Sequence, residues 1–138
     1  MLSLILTCKS KDSVYDQFKV IDGGTWNIMV IKSYDKYLVG SAEYEILHGN
    51  YLYTDFKHKK VLIEIQDKEI QGDFIIKKND ENYEFIISDA SDPLFNKKYD
   101  IVLKAMTKSS FSTHYSLMLR SDNLLIAAKK IQMGNELD

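Results

Sequence analysis

Between Gly24 and Gln132, apolar and polar side chains alternate with a period of two along a series of short stretches. β-Branched and aromatic residues occupy many of the apolar positions, as is typical of β-strands. The stretches are separated by short links of turn-forming composition, such as residues 48–50, 67–69, 79–82 and 121–123. Parallel strands need crossovers of about a dozen residues or more, so links of this length predict antiparallel neighbours.

The pattern therefore predicts an all-β fold, an antiparallel up-and-down meander of eight or nine strands. We expect the meander to close into a barrel, because closure pairs the exposed edges of the sheet. A chain of 138 residues has the usual length of one domain. We expect residues 23–138 to form this single β-barrel domain. Residues 1–22 are expected to form a signal remnant with a lipobox-like segment, followed by a loose polar linker.

Cys8 is the only cysteine, so the chain can form no internal disulfide and no cysteine-based metal cage. The apolar run before Cys8 is too short to span a bilayer, and the chain turns polar directly after it. This outline is similar to the end of a bacterial lipoprotein signal. The similarity implies that Cys8 carries lipid, and that this lipid is the protein's only membrane contact. A cell-envelope location, periplasmic or extracellular, would follow. The second interpretation is a first β-strand over residues 2–8 of a cytoplasmic protein.

Gly24, Thr25 and Trp26 open the first strand, and Arg120 is the only arginine in the chain. The triplet resembles the Gly-x-Trp signature of the lipocalin and wider calycin group, in particular the lipocalin-like domains of small bacterial envelope lipoproteins. The resemblance implies an eight-stranded barrel in which Trp26 is buried at the end near the chain start. It also implies that Arg120 lies across the Trp26 ring, since a planar guanidinium stacks well on an aromatic face.

Residues with catalytic potential are scattered along the sequence. The three histidines, His48, His58 and His114, fall at turns or strand starts without a second ligand at metal-binding spacing. The sequence contains no P-loop, dinucleotide fingerprint or calcium loop. We therefore predict a non-enzymatic protein with no catalytic residue, no metal site and no cofactor. The net charge of −2, with lysines dispersed among acidic residues, also argues against a nucleic-acid partner.

Two binding functions fit these expectations. In the first, an apolar small molecule occupies the barrel lumen, as the family resemblance implies. The lumen residues expected from the alternation are Ile28, Tyr44, Ile63, Phe74, Phe85, Ile101 and Leu117. In the second, side chains fill the barrel, which an eight-stranded barrel permits. The protein then binds another protein, as an inhibitor or immunity protein does, through the tyrosine-rich stretch 51–56. A wide cavity would favour the first function, and a filled barrel with exposed aromatic residues the second.

Overall fold

The computed structural model describes residues 14–44, 49–108 and 112–133. Nine antiparallel strands account for most of these residues. Of two short 3-10 helices, Lys19–Ile21 precedes the first strand and Pro93–Phe95 lies between the sixth and the seventh. The strands are β1 (Trp26–Ser33), β2 (Lys36–Val39), β3 (Asn50–Asp55), β4 (Lys60–Ile65), β5 (Lys68–Asn79), β6 (Asn82–Ser88), β7 (Lys98–Lys108), β8 (Ser112–Arg120) and β9 (Leu124–Met133).

Eight of these strands, β1 and β3 to β9, form a closed barrel in chain order. Closure is made by β1 and β9, whose antiparallel register runs from Asn27 opposite Lys129 to Ser33 opposite Leu124. Only the start of β1 pairs with β3, at Trp26 and Asn27. The second half of β1 pairs with β2, which is therefore a ninth strand added beside the barrel. The predicted antiparallel barrel of eight or nine strands is confirmed.

The hairpin of β1 and β2 is a part of the meander that the alternation did not predict. The sequence pattern predicts a strand that includes Tyr44, but Tyr44 lies outside the strands and the chain already turns back at Tyr34 and Asp35; residues 45–48 lie outside the described residues. Tyr34 has a φ of 54°, which is uncommon for a bulky residue. Its backbone N–H donates to the carbonyl of Asn123 at 3.1 Å. A contact distant in sequence therefore stabilises a turn that lacks the usual glycine or asparagine.

The N-terminal segment from residue 14 to residue 25 covers one end of the barrel. Phe18 and Ile21 are buried in the main core, and the Phe18 and Tyr83 rings meet edge to face at 5.2 Å. Thr54 on β3, in the barrel wall, donates from its Oγ1 to the Ile21 carbonyl at 2.8 Å. The expectation of a loose linker up to residue 22 is therefore wrong for residues 14–22, because two apolar side chains anchor the segment. Residues 1–13, including Cys8, lie outside the described residues.

The loop between β6 and β7 covers the opposite end. Its 3-10 helix begins at Pro93, and the Asp92 side chain accepts from the Leu94 N–H at 3.1 Å. Hydrogen bonds from Lys68 and from the Leu94 backbone lower the pKa of Asp92. Phe95, the last residue of this helix, is buried, and the Tyr99 hydroxyl donates to its carbonyl at 2.8 Å. The loop thereby brings apolar side chains over the barrel interior.

Candidate functional site

The barrel interior is the first candidate site, because the alternation predicted a ligand lumen there. Five of the predicted lumen residues are covered almost completely, with 1% or less of their surface free. A void wide enough for a ligand beside them would leave more of that surface free. The rings of Phe74 and Phe85 stack with centroids 4.6 Å apart and planes only 7° from parallel. Side chains therefore fill the space around these residues: Ile28, Ile63, Phe74, Phe85 and Leu117.

The two other predicted lumen residues occupy different positions. Ile101 on β7 is half-buried and packs against the main core, facing the interior as expected. Tyr44 lies outside the strands, is 36% exposed and has a φ of 53°. Its placement in the lumen is wrong, because Tyr44 itself lies in a turn after β2 and not in a barrel strand. The Tyr44 N–H instead donates to the Ser41 carbonyl at 3.3 Å, in a turn after β2.

Trp26 closes the barrel beneath the N-terminal segment. It is fully buried, as predicted, and its indole N–H donates to the Ile21 carbonyl at 3.1 Å. The Nζ atom of Lys130 lies 5.5 Å from the centroid of its ring. The same Nζ donates to the carbonyls of Val20 and Gly23 at 2.8 and 3.0 Å. Burial lowers the pKa of Lys130, although the nearby Asp22 carboxylate acts in the opposite direction.

The predicted contact between Arg120 and Trp26 is wrong. Arg120 ends β8 opposite Leu125, whereas Trp26 begins β1. Because β1 pairs with β9 in the antiparallel sense, these two positions lie toward opposite ends of the barrel. Arg120 is exposed and lines a charged depression with Glu84 and Asp100. Lys130 lies over the Trp26 ring, where Arg120 was expected. Its side chain faces inward because inward-facing residues recur at every second position along β9, and Lys130 is one of these positions.

Gly24 belongs to the same end of the barrel as Trp26. Its φ is 64°, a left-handed conformation that glycine adopts without strain. A β-carbon at this position would lie 3.1 Å from Cε of Lys130. Gly24 therefore gives the Lys130 side chain room to pass to the Trp26 ring. Lys130 thus lies close to both Gly24 and Trp26, although no sequence motif pointed to Lys130.

A second candidate site is a groove between the N-terminal segment and the ends of β7 and β8. It has a volume of about 690 Å³. Val20, Leu103, Ala105 and Tyr115 provide its apolar lining. Leu103 and Tyr115 are half-buried and contact the main core, so the apolar side of the groove is continuous with the packed core. The groove's polar lining comes from Asp16, Gln17 and Lys19.

A third candidate site lies on the outside of β3, β4 and β5. The alternation turns Leu52, Val61 and Ile70 inward, where they are buried, and their neighbours outward. We call the outward-facing set the outer wall: Tyr51, Tyr53, Asp55, Lys60, Leu62, Glu64, Glu69, Gln71 and Asp73. A depression of about 380 Å³ on this wall is lined by Tyr53, Leu62 and Gln71, which lie side by side on the three strands.

The predicted contact stretch 51–56 forms only part of this wall. Tyr51 and Tyr53 face outward with ring centroids 6.2 Å apart, and both are half-buried. Leu52 and Thr54 point inward and are buried. Phe56 is also buried, so the expectation of an exposed surface fails at this residue. The stretch is a strand whose alternation divides its side chains between the core and the outer wall.

The charges on the outer wall are arranged unevenly. Lys60 lies opposite Asp73 and forms an ion pair with it. Glu64, further along β4, lies directly opposite Glu69. Within the described part of the chain, neither glutamate forms an ion pair with a lysine or arginine. The wall thus carries four carboxylates and one ammonium group.

The sequence contained the signal for the facing glutamates. We expected the hairpin turn at residues 67–69, but it lies at Gln66 and Asp67, where Gln66 has a φ of 53°. A two-residue turn at this place pairs Ile65 with Lys68 and so brings Glu64 opposite Glu69. The shift of the turn explains why the pair was missed.

The histidines have separate surroundings. Nδ1 of His58 lies 2.7 Å from Asp55 Oδ2 in an exposed turn, and hydrogen bonds from His58 lower the pKa of Asp55. His114 is exposed on β8, and His48 lies outside the described residues. Across residues 14–44, 49–108 and 112–133, no three histidine, cysteine or acidic side chains lie close enough together to hold a metal ion. Over the same ranges, no helix has the length and apolarity needed to cross a membrane.

No family model, curated protein or solved structure matches this chain significantly.

Proposed function

We propose that this protein is a non-enzymatic binding protein that recognises another protein through the outside of its barrel. The observation that carries the proposal is the filled interior. Phe74 and Phe85 stack face to face, and their surfaces are almost completely covered by neighbouring side chains. A ligand could enter this space only by displacing packed side chains, which costs free energy because protein cores are close-packed.

The outer wall is the surface that we propose for this recognition. It carries two tyrosines and Leu62, and Tyr53 and Leu62 line a depression of about 380 Å³. Aromatic residues are enriched at protein interfaces, since they bury a large area with few rotatable bonds. An inhibitor or immunity protein works in this way, by covering a partner rather than by turning over a substrate.

Photo-crosslinking in the native cells tests the proposal. A photoreactive phenylalanine analogue replaces Tyr53 on the outer wall, and in a matched control it replaces Lys104, which is exposed on β7. We expect a discrete crosslinked adduct from position 53 and none from position 104. Equal labelling from both positions, or no adduct at position 53 or at the neighbouring Leu62, would refute recognition through this wall.

A second candidate function is the binding of a small apolar molecule, and the groove beside Leu103 and Tyr115 favours it. Its volume of about 690 Å³ is within the usual range of small-molecule sites. Fatty acids, retinoids and haem should then quench the fluorescence of Trp26. Replacing Leu103 by Glu should abolish that quenching, because a carboxylate in the apolar lining must lose its hydration. Absence of quenching by all three ligand classes would exclude this function for them.

We also propose that the protein is a lipocalin-like envelope lipoprotein with lipid on Cys8. The barrel with Trp26 in its first strand supports the family resemblance, and the apolar run followed by Lys9–Ser13 supports the lipid attachment. Mass spectrometry of the protein from its own cells tests the modification. An unmodified Met1 together with a free Cys8 thiol would exclude it and would favour the cytoplasmic alternative.

A further inference from the structure

We propose that the outer wall binds a basic segment of the partner protein. An arginine or lysine side chain would lie between the carboxylates of Glu64 and Glu69. A neighbouring apolar side chain of the same segment would occupy the depression beside Tyr53 and Leu62. The inference rests on the proposed function and adds the chemistry of the partner.

The first argument is the position of the two glutamates. Glu64 and Glu69 are directly opposite each other on neighbouring strands. In such pairs the Cβ atoms are about 4.5–5.5 Å apart, and like charges destabilise the sheet. The same two strands pair Lys60 with Asp73 a few residues away, so opposite charges are compatible with this hairpin. A cation between the two carboxylates would relieve the repulsion, and a guanidinium group would do so with directional hydrogen bonds.

The second argument is the apolar surface next to the glutamates. Tyr51 lies opposite Glu64 on β3, and Tyr53 lies opposite Leu62. A guanidinium group held by the carboxylates would therefore lie near the Tyr51 ring, where cation–π attraction adds to the charge interaction. The depression lined by Tyr53, Leu62 and Gln71 offers space for one apolar side chain.

The charge of the wall selects among the possible occupants. With four carboxylates and one ammonium group, the wall is complementary to a positively charged surface. A second copy of this chain would bring the same carboxylates against it, because a symmetric dimer joins identical patches. An anionic membrane surface would be repelled for the same reason. A basic protein segment is the occupant that satisfies both the charge and the apolar depression.

The test is an NMR titration of the 15N-labelled full chain with an octapeptide of alternating arginine and leucine. An octapeptide of alternating glutamate and leucine serves as the comparison probe. We expect saturable shifts centred on Tyr53, Leu62, Glu64 and Glu69 with the basic peptide only. Shifts dispersed over acidic residues of the whole surface, or equal binding of the acidic peptide, would overturn the inference.

Paired substitutions make the test specific. The variant with Glu64→Gln and Glu69→Gln should bind the basic peptide about tenfold more weakly or worse, as expected when charged partners are removed. The control with Asp80→Asn and Glu81→Gln, at the exposed β5–β6 turn, removes the same charge and should bind within about twofold of the parent chain. Equal weakening in both variants would show that only net charge matters and would overturn the inference.

Two further measurements show whether weaker binding reflects unfolding, and whether a negative result also affects the proposed function. Because the Glu64→Gln and Glu69→Gln changes remove a repulsion, the thermal midpoint should not fall, so weaker binding cannot come from unfolding. If the basic peptide fails to bind while crosslinking from position 53 still gives a discrete adduct, the basic segment is refuted and the proposed function stands. Failure of both experiments refutes both.

Discussion

The Nζ atom of Lys130 lies 5.5 Å from the ring centroid of Trp26 and donates hydrogen bonds to two carbonyls of the N-terminal segment. One side chain thus joins the last strand, the first strand and the segment that covers this end of the barrel. A hydrogen bond from a charged donor contributes about 1.5–3 kcal/mol, and cation–π attraction adds about 0.5–2 kcal/mol.

Replacing Lys130 by Met should destabilise the protein by about 2 kcal/mol, because the Val20 and Gly23 carbonyls lose their donor while the aliphatic stem over Trp26 is retained. Urea unfolding followed by Trp26 fluorescence measures the change. Lys129→Met is the matched control, since Lys129 neighbours Lys130 on the opposite face of β9. Equal losses for the two variants would contradict the bridging role of Lys130.

Truncation of Phe85 tests whether the barrel is filled. Phe85→Ala should cost about 3–5 kcal/mol, because it removes the stacking partner of Phe74 and leaves a cavity. An apolar cavity of this kind stays dry and binds benzene-sized molecules, so benzene should raise the thermal midpoint of the variant but not of the parent chain. Ile75→Ala on the exterior, where Ile75 is 48% exposed, should cost less than about 1 kcal/mol. A parent chain that is itself stabilised by benzene would contradict the packed interior.

The repulsion between Glu64 and Glu69 predicts a stabilising substitution. Glu69→Lys converts a like-charge pair into an opposite-charge pair and should raise the free energy of unfolding by about 0.2–1 kcal/mol. The gain should shrink at high salt, because these side chains are accessible to screening ions. Glu81→Lys, at the exposed turn, changes the net charge equally and should be close to neutral. A gain of the same size from Glu81→Lys would attribute the effect to net charge alone.

Gly40 is expected to resist substitution for a steric reason. Its φ is 76°, and a β-carbon would lie 2.0 Å from the carbonyl oxygen of Met29. Gly49 has a similar φ of 88° but no atom within 4 Å of its β-carbon position. Gly49→Ala should therefore cost about 1–2 kcal/mol from backbone strain alone, and Gly40→Ala distinctly more. Thermal unfolding of the two variants compares them, and equal midpoints would contradict the close approach of Gly40 to β1.

Tyr99 should make the protein sensitive to alkaline pH. Burial raises the pKa of its hydroxyl well above the usual value of 10.0. Above pH 10 the unfolded chain releases the proton while the folded chain retains it, so stability falls as the pH rises toward the folded-state pKa. At pH 8, Tyr99→Phe should lower the free energy of unfolding by about 1 kcal/mol, because the hydrogen bond to Phe95 is lost. Between pH 9 and pH 11, the stability of the variant should fall less steeply than that of the parent chain. Urea midpoints across this range test it, and a Tyr99→Phe variant with the same slope as the parent chain would contradict the role of the buried hydroxyl.

The sequence predicted the barrel and most of its inward-facing residues correctly. Ile63, Phe74 and Phe85 could be assigned because the side-chain direction in a strand alternates whatever the rest of the chain does. The assignment failed at Tyr44, since alternation alone does not show whether a residue lies in a strand or in the turn beside it. It also missed the facing glutamates, because moving a hairpin turn by one residue changes which side chains meet across the strands.

The sequence by itself determined that this chain forms short antiparallel strands with one apolar face, because periodicity and turn composition are local properties. The tertiary structure alone decided which residues meet across the barrel. It placed Lys130 rather than Arg120 over Trp26, stabilised the turn at Tyr34 through Asn123, and anchored residues 14–22 through Phe18 and Ile21. It also decided that side chains fill the space around Phe74 and Phe85. These outcomes depend on shear, register and packing between segments distant in sequence, which no local pattern specifies.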